Sequence, residues 1–99
     1  MQAADSKRII DALLNDLRNI SNEAKKKHNH VKEAAETAVV KVRNISTASA
    51  ESSLLQNLRT ASSEILHPLV LACDSKNSRL VQIALGSIQK MVQYRILEQ

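Results

Sequence analysis

The chain has 99 residues, enough for one small domain with a single hydrophobic core, and its 43% hydrophobic content is almost wholly aliphatic. One glycine and one proline exclude a many-stranded β-sandwich or barrel, which needs more turn residues. The net charge of +4 permits attraction to nucleic acid, anionic lipid or an acidic protein without choosing among them, and the lone Cys73 indicates an intracellular chain without an internal disulfide.

The first predicted helix runs from about Asp5 to about Lys27, and apolar residues at spacings of three and four give it one buried face. We expect Asp5 or Ser6 to cap its start, because a short side-chain oxygen can accept a free backbone N–H. The break is predicted at residues 28–30. The buried face comprises Ile9, Ile10, Leu13, Leu14, Leu17, Ile20 and Ala24.

The second predicted helix has a buried face rich in alanine, which allows a neighbouring helix to approach closely. This face comprises Val31, Ala34, Ala35, Ala38, Val39, Val42 and Ile45. Residues 46–53 are rich in Ser, Thr and Ala, which favours a loop, because serine and threonine side chains compete for backbone hydrogen bonds.

The rest of the chain predicts further helices around Leu54–Leu58, Ile65–Cys73 and Leu80–Val92, with a polar loop at residues 74–77. Pro68 predicts a kink or a fresh helix start near His67, because a proline inside a helix costs about 3 kcal/mol. No apolar run approaches the roughly 18 residues of a membrane span, and no secretory signal is visible, so we expect a soluble chain.

A shift of 46 residues lays the second helix on the last one, so that Ala38 meets Ala84 and Val42 meets Ile88. This shift lies within the roughly 40–47 residues of armadillo and HEAT units. The sequence therefore predicts one all-α domain over residues 1–99, an armadillo/HEAT-like repeat of about four to five helices.

Candidate residues for chemistry are sparse, and we predict no catalytic, cofactor or metal site and no enzyme activity. His28 and His30 lack further metal ligands nearby, and a single glycine cannot build a phosphate-binding loop. Nucleic acid is disfavoured because Tyr94 is the only aromatic side chain on which a base could stack. The one dense basic patch, which could contact an anionic partner or lipid, comprises Lys25, Lys26, Lys27 and Lys32.

Four segments carry a family resemblance: LRNISNEAKKK (17–27), VKEAAETAVVKV (31–42), SSEILHPLVLAC (62–73) and LVQIALGSIQKM (80–91). With them, the chain resembles the N-terminal DCB (dimerisation and cyclophilin-binding) domain of the Mon-two family of Golgi trafficking proteins, which is similar to the large Arf guanine-nucleotide exchange factors. The resemblance implies an armadillo-like module without the exchange domain, and a chain truncated from a much larger protein.

The resemblance also implies a scaffold, cytoplasmic and peripheral on trans-Golgi and endosomal membranes. The implied partners are a second copy, the downstream homology region, a Dopey-type protein and an Arf-like GTPase. A terminal repeat normally needs a polar cap, so we expect a second copy to cover either the outer face of the first helix or the face around Leu85, Ile88, Met91 and Val92. The alternative function is a basic peripheral membrane module that uses the four lysines.

Overall fold

The computed structural model describes residues 3–97, except the side chains of residues 3–6 and Glu51, and these residues form helices without a β-strand. The prediction of an all-α, repeat-like fold is confirmed. The helices are α1 (Ala3–Ala24), α2 (Asn29–Ala48), α3 (Leu54–Thr60), α4 (Ser62–Asp74) and α5 (Ser78–Gln93), with a short 3-10 turn at Glu51–Ser53 before α3.

Several predicted boundaries of the first two helices are wrong. Asp5 and Ser6 lie inside α1 and therefore do not cap it, and the break falls at residues 25–28. Helix α2 continues through residues 46–48 of the predicted loop and ends at Ala48. Serine and threonine fit into this last stretch because a hydroxyl can bond the preceding turn, as Thr47 Oγ1 does when it donates to the Asn44 carbonyl over 3.2 Å.

Pro68 lies inside α4, and the predicted fresh start near His67 is wrong, because α4 begins at Ser62. The chain instead breaks at Ala61, between α3 and α4. Proline deprives the carbonyl four residues earlier, that of Glu64, of its helical partner, and α4 nevertheless continues past this position. The Pro68 ring itself is buried on the core side of the helix.

The four longer helices form a closed ring in which each packs on two neighbours. Helix α1 packs on α2, α2 on α4, α4 on α5, and α5 returns to α1. Short connections make successive helices run in opposite directions, so the α1–α2 and α4–α5 connections lie at the same end of the ring. The fully buried centre includes Ile9, Leu13, Leu17, Ile20, Leu58, Ile65, Leu69, Leu80 and Met91.

The buried residues reveal an internal repeat whose register differs from the predicted shift of 46. A shift of 49 lays the buried positions of α2, which are Val31, Ala35, Ala38 and Val42, on those of α5, which are Leu80, Ala84, Ser87 and Met91. A shift of 48 lays Ile10, Leu13, Leu17, Ile20 and Ala24 of α1 on Leu58, Ala61, Ile65, Pro68 and Ala72 of α3 and α4. The fold is therefore two related helix pairs, and the second connection is one residue longer.

Two helix ends use left-handed residues that are not glycine. Lys76 has φ of 63° after α4, and the next residue, Asn77, caps α5 by accepting hydrogen bonds from the backbone N–H groups of Arg79 and Leu80. Arg95 has φ of 59° in a Schellman closure of α5, in which the Ile96 N–H donates to the Met91 carbonyl over 2.8 Å. This closure places Ile96 in the core.

Candidate functional site

The predicted basic patch lies in the turn between α1 and α2. Lys25, Lys26 and Lys27 are all exposed, and backbone hydrogen bonds hold the turn on the buried Ala24, whose carbonyl accepts from His28 N–H over 2.7 Å. Lys32 differs, because it is half-buried on α2 and its ammonium lies 3.5 Å from the Glu36 carboxylate. The structure therefore leaves three consecutive lysines facing solvent as the basic part of this surface.

His28 and His30 lie beside this turn, with their ring centroids 6.4 Å apart in an edge-to-face arrangement. His28 occupies the N-cap position of α2, and His30 follows in its first turn. Among the residues with described side chains, no three His, Cys, Asp or Glu side chains gather as a metal site would need.

The predicted self-association face on α5 is only partly available. Leu85 is 56% exposed, and Ile88 and Val92 are half-buried, but Met91 is completely buried. The assignment of Met91 to a surface is wrong, because the core-facing row of α5 passes through Ala84, Ser87 and Met91. Leu85 points away from that row, and it is the most exposed residue of the predicted set.

The other predicted face, the outer side of α1, is polar. Its exposed residues from Asp11 onward are Asp11, Asn15, Arg18, Asn19 and Asn22. A contact with this side of α1 would therefore gain little from burial of apolar area.

A groove lies between α2 and α4 and has a volume of about 880 Å³. An ion pair between Lys41 and Glu64, with the charged atoms 3.3 Å apart, links the two helices at this groove. Its lining combines small or apolar residues with polar ones: Ala34, Ala38, Leu71, His30, His67, Glu33, Thr37 and Ser63, besides the ion pair. The sequence did not indicate this groove, because its position depends on which helices pack together.

A buried polar contact between α1 and α5 was also missed. Ser87, completely buried, donates a hydrogen bond to Asp16 Oδ2 over 2.6 Å, and Lys90 Nζ lies 2.9 Å from the same oxygen. The Asp16 side chain is only 12% exposed, so the serine and the ammonium satisfy a carboxylate that has lost most of its water. The one available signal was Ser87 itself, a polar residue within an apolar row.

A second, smaller groove lies between α1 and α2, and it is lined by Arg18, Ser21, Asn22, Glu36, Val39 and Val40. Val40 at its edge is 55% exposed. No helix in the described part of the chain is long and apolar enough to cross a lipid bilayer.

Paired helices, open grooves where they meet, and exposed apolar and basic side chains define the class of all-α interaction domains. A family model matches residues 4–99, and it describes a Mon2/Sec7/BIG1-like, dimerisation and cyclophilin-binding domain. The chain belongs to this DCB family, and the resemblance predicted from its sequence is confirmed.

Similar curated proteins come from distant animals. The chain is 62% identical over 98% of its length to the MON2 homolog of Caenorhabditis briggsae, and 61% identical over its whole length to monensin-resistant homolog 2 of Caenorhabditis elegans. It is 33% identical over 94% of its length to the human MON2 homolog. The chain spans only 5–6% of the length of these relatives. No solved structure matches it.

Proposed function

We propose that this domain is a non-catalytic protein-binding and self-association scaffold that works in Golgi and endosomal membrane trafficking. The single observation that carries the proposal is the match to the dimerisation and cyclophilin-binding family over residues 4–99. The MON2 homologs among its relatives support a place on the cytoplasmic side of trans-Golgi and endosomal membranes. A second copy is the first partner of this scaffold.

The surface of the domain supports this role. Val40, Val70 and Leu85 are large apolar residues that are each more than half exposed, and the grooves between helices are open to solvent. Open grooves and apolar side chains on helix faces suit another protein better than a small substrate, which is usually enclosed in a pocket. The proposed heterologous partners are a cyclophilin, the downstream homology region, a Dopey-type protein and an Arf-like GTPase.

Sedimentation velocity tests the proposal directly. We expect the weight-average mass of the purified chain to rise from monomer towards dimer as its concentration increases from the low micromolar to the high micromolar range. A constant monomer mass over that range would overturn self-association. Calorimetric titration with a purified cyclophilin then tests heterologous binding, and absence of heat or of a mass change would remove that partner.

A second candidate function is a basic peripheral membrane module, and the exposed Lys25–Lys27 turn favours it. Each lysine near an anionic bilayer contributes about 1 kcal/mol, and salt weakens this attraction. We expect a triple Lys→Gln variant at residues 25–27 to lose co-sedimentation with phosphatidylserine vesicles. A matched triple variant with Lys7→Gln, Arg8→Gln and Arg43→Gln removes three exposed charges towards the other end of the ring. Equal losses in both variants, or binding that does not respond to salt, would contradict a membrane site at this turn.

A further inference from the structure

The two related helix pairs have outer surfaces of opposite character. A position in α1 is equivalent to the position 48 residues later in α4, and a position in α2 is equivalent to the position 49 residues later in α5. We define the α4–α5 face as Leu66, Val70 and Cys73 of α4 with Val81, Leu85, Ile88 and Val92 of α5, all exposed or half-buried. Every member of this face is apolar.

The equivalent α1–α2 face is mostly polar. Its members on α1 are Arg18, Asn22 and Lys25, and those on α2 are Lys32, Glu36, Val39 and Arg43. Four of these seven residues listed on the α1–α2 face are cations, whereas the seven residues of the α4–α5 face carry no charge. The same position in the repeat is thus polar in one pair and apolar in the other.

Helix geometry confirms that the two halves of the α4–α5 face lie side by side. On α4, the flank that carries Glu64 and Leu71 faces α2, so Leu66, Val70 and Cys73 lie on the opposite flank, beside α5. On α5, the flank that carries Ser87 and Lys90 faces α1, so Val81, Leu85 and Val92 lie beside α4. The α1–α2 groove supports the same arrangement, because its lining residues Asn22 and Glu36 are the repeat equivalents of Val70 and Leu85.

Spacing along each helix fits a helical partner. The α4 members recur at steps of four and three residues, and the α5 members at four, three and four, so each forms one continuous row. Rows of this kind receive the side chains of another helix between them. In stacked helical units, an apolar outer face is normally covered by a further unit, whereas a polar face terminates the stack.

We infer that the α4–α5 face is the self-association surface, and that it packs against the same face of a second copy about a twofold axis. This inference rests on the proposed self-association. A twofold contact places each surface opposite itself, so a face on which charges of one sign are in excess repels its own copy, and on the α1–α2 face four cations stand against the single anion Glu36. The basic α1–α2 face is therefore unsuited to such a contact, and the uncharged α4–α5 face is suited to it. The remaining neutral residues beside the α5 row, Gln82 and Gln89, add no repulsion.

Three matched glutamate variants test the inference by sedimentation velocity. Val70, Leu85 and Val40 are 51%, 56% and 55% exposed, but Val40 lies at the groove between α1 and α2. We expect V70E and L85E each to raise the dimer dissociation constant by about tenfold or more, because each places two like charges in one apolar contact. The control V40E should dimerise like the unmodified chain.

The possible results distinguish an error in the assigned surface from an error in the proposed self-association. Suppose that the unmodified chain dimerises. If V70E and L85E then dimerise as well as the unmodified chain, or if V40E is the only variant that does not dimerise, the α4–α5 assignment is overturned and self-association stands. If the unmodified chain stays monomeric, both are overturned. Circular dichroism confirms the fold of each variant, and a glutamine at the same position replaces any glutamate variant that does not fold. A further readout on the unmodified chain is alkylation of Cys73, half-buried on this face: its rate constant should fall as the dimer forms, and a constant rate through dimerisation would contradict the assignment.

Discussion

The hydroxyl of Ser87 donates a hydrogen bond of 2.6 Å to Asp16, although 71 positions separate the two residues in the chain. This bond joins α5 to α1 and lies where the last helix closes the ring. Lys90 shares the same carboxylate oxygen, and it keeps part of its side chain in solvent. The closure of the ring therefore depends on a polar contact as well as on apolar packing.

We expect Ser87→Ala to lower the free energy of unfolding by about 1–2 kcal/mol, because the charged acceptor Asp16 loses the hydrogen bond from the serine hydroxyl but keeps that from Lys90. Asp16→Ala should cost about 2–3 kcal/mol, because it leaves a buried hydroxyl without its acceptor. Urea unfolding at low protein concentration measures both, and Ser46→Ala at an exposed position serves as a control with a change below about 0.5 kcal/mol. Additive effects in the double variant would contradict a direct Ser87–Asp16 interaction.

The left-handed backbone at Lys76 and Arg95 makes glycine the better residue there. We expect Lys76→Gly and Arg95→Gly each to raise the unfolding free energy by about 0.5–1 kcal/mol, because a side chain strains that conformation. Arg43→Gly, inside α2 and with an ordinary helical backbone, should instead lower it by about 1 kcal/mol. The sign of the change is the test, measured by urea unfolding, and destabilisation at all three positions would contradict the left-handed assignment.

Gly86 lies in the interior of α5, and a methyl group built on its Cα meets no other atom within 4 Å. We expect Gly86→Ala to raise the thermal midpoint and to stabilise the domain by about 0.5–1 kcal/mol, because alanine restricts the unfolded chain and favours the helix. Calorimetry measures the change. A lower midpoint would show that the space beside Gly86 is occupied in the folded protein.

Met91 and Leu85 were predicted to share a surface but differ completely in burial. We expect Met91→Ala to cost about 2–4 kcal/mol through the cavity that it leaves, and Leu85→Ala to change the stability of the monomer by less than about 0.5 kcal/mol. Urea unfolding at low protein concentration compares the two directly. Similar costs would mean that both residues lie in the core, or that both lie outside it.

The sequence predicted local features better than relationships between helices. Apolar periodicity located most of the buried residues of α1 and α2, because a helix that buries one face has apolar residues at spacings of three and four. It misplaced Met91 and the repeat register, because α5 has two adjacent apolar rows and only one faces the core. It also placed the break near His67 instead of at Ala61, since the burial of the Pro68 ring in the core, which can offset the lost hydrogen bond, depends on the neighbouring helices.

Among the candidate surfaces, too, those formed by one segment of the chain could be predicted and those formed by several helices could not. Lys25–Lys27 could be predicted as exposed, because three consecutive charges cannot be buried without partners. The Asp16 contact and the α2–α4 groove could not, because they join residues from helices whose neighbours are set by the closed ring. Distinguishing the apolar α4–α5 face from its polar equivalent likewise required the repeat register that burial supplies.

The ring has a consequence for the order of folding. Helix α1 packs on α5 as well as on its neighbour α2, so part of the stability of α1 comes from contacts between distant parts of the chain. During synthesis, the α1–α2 hairpin leaves the ribosome with its apolar row uncovered, and this row is fully covered only after α4 and then α5 have followed. A chaperone that shields this hairpin for the time needed to translate about fifty more residues would prevent the premature pairing of nascent chains.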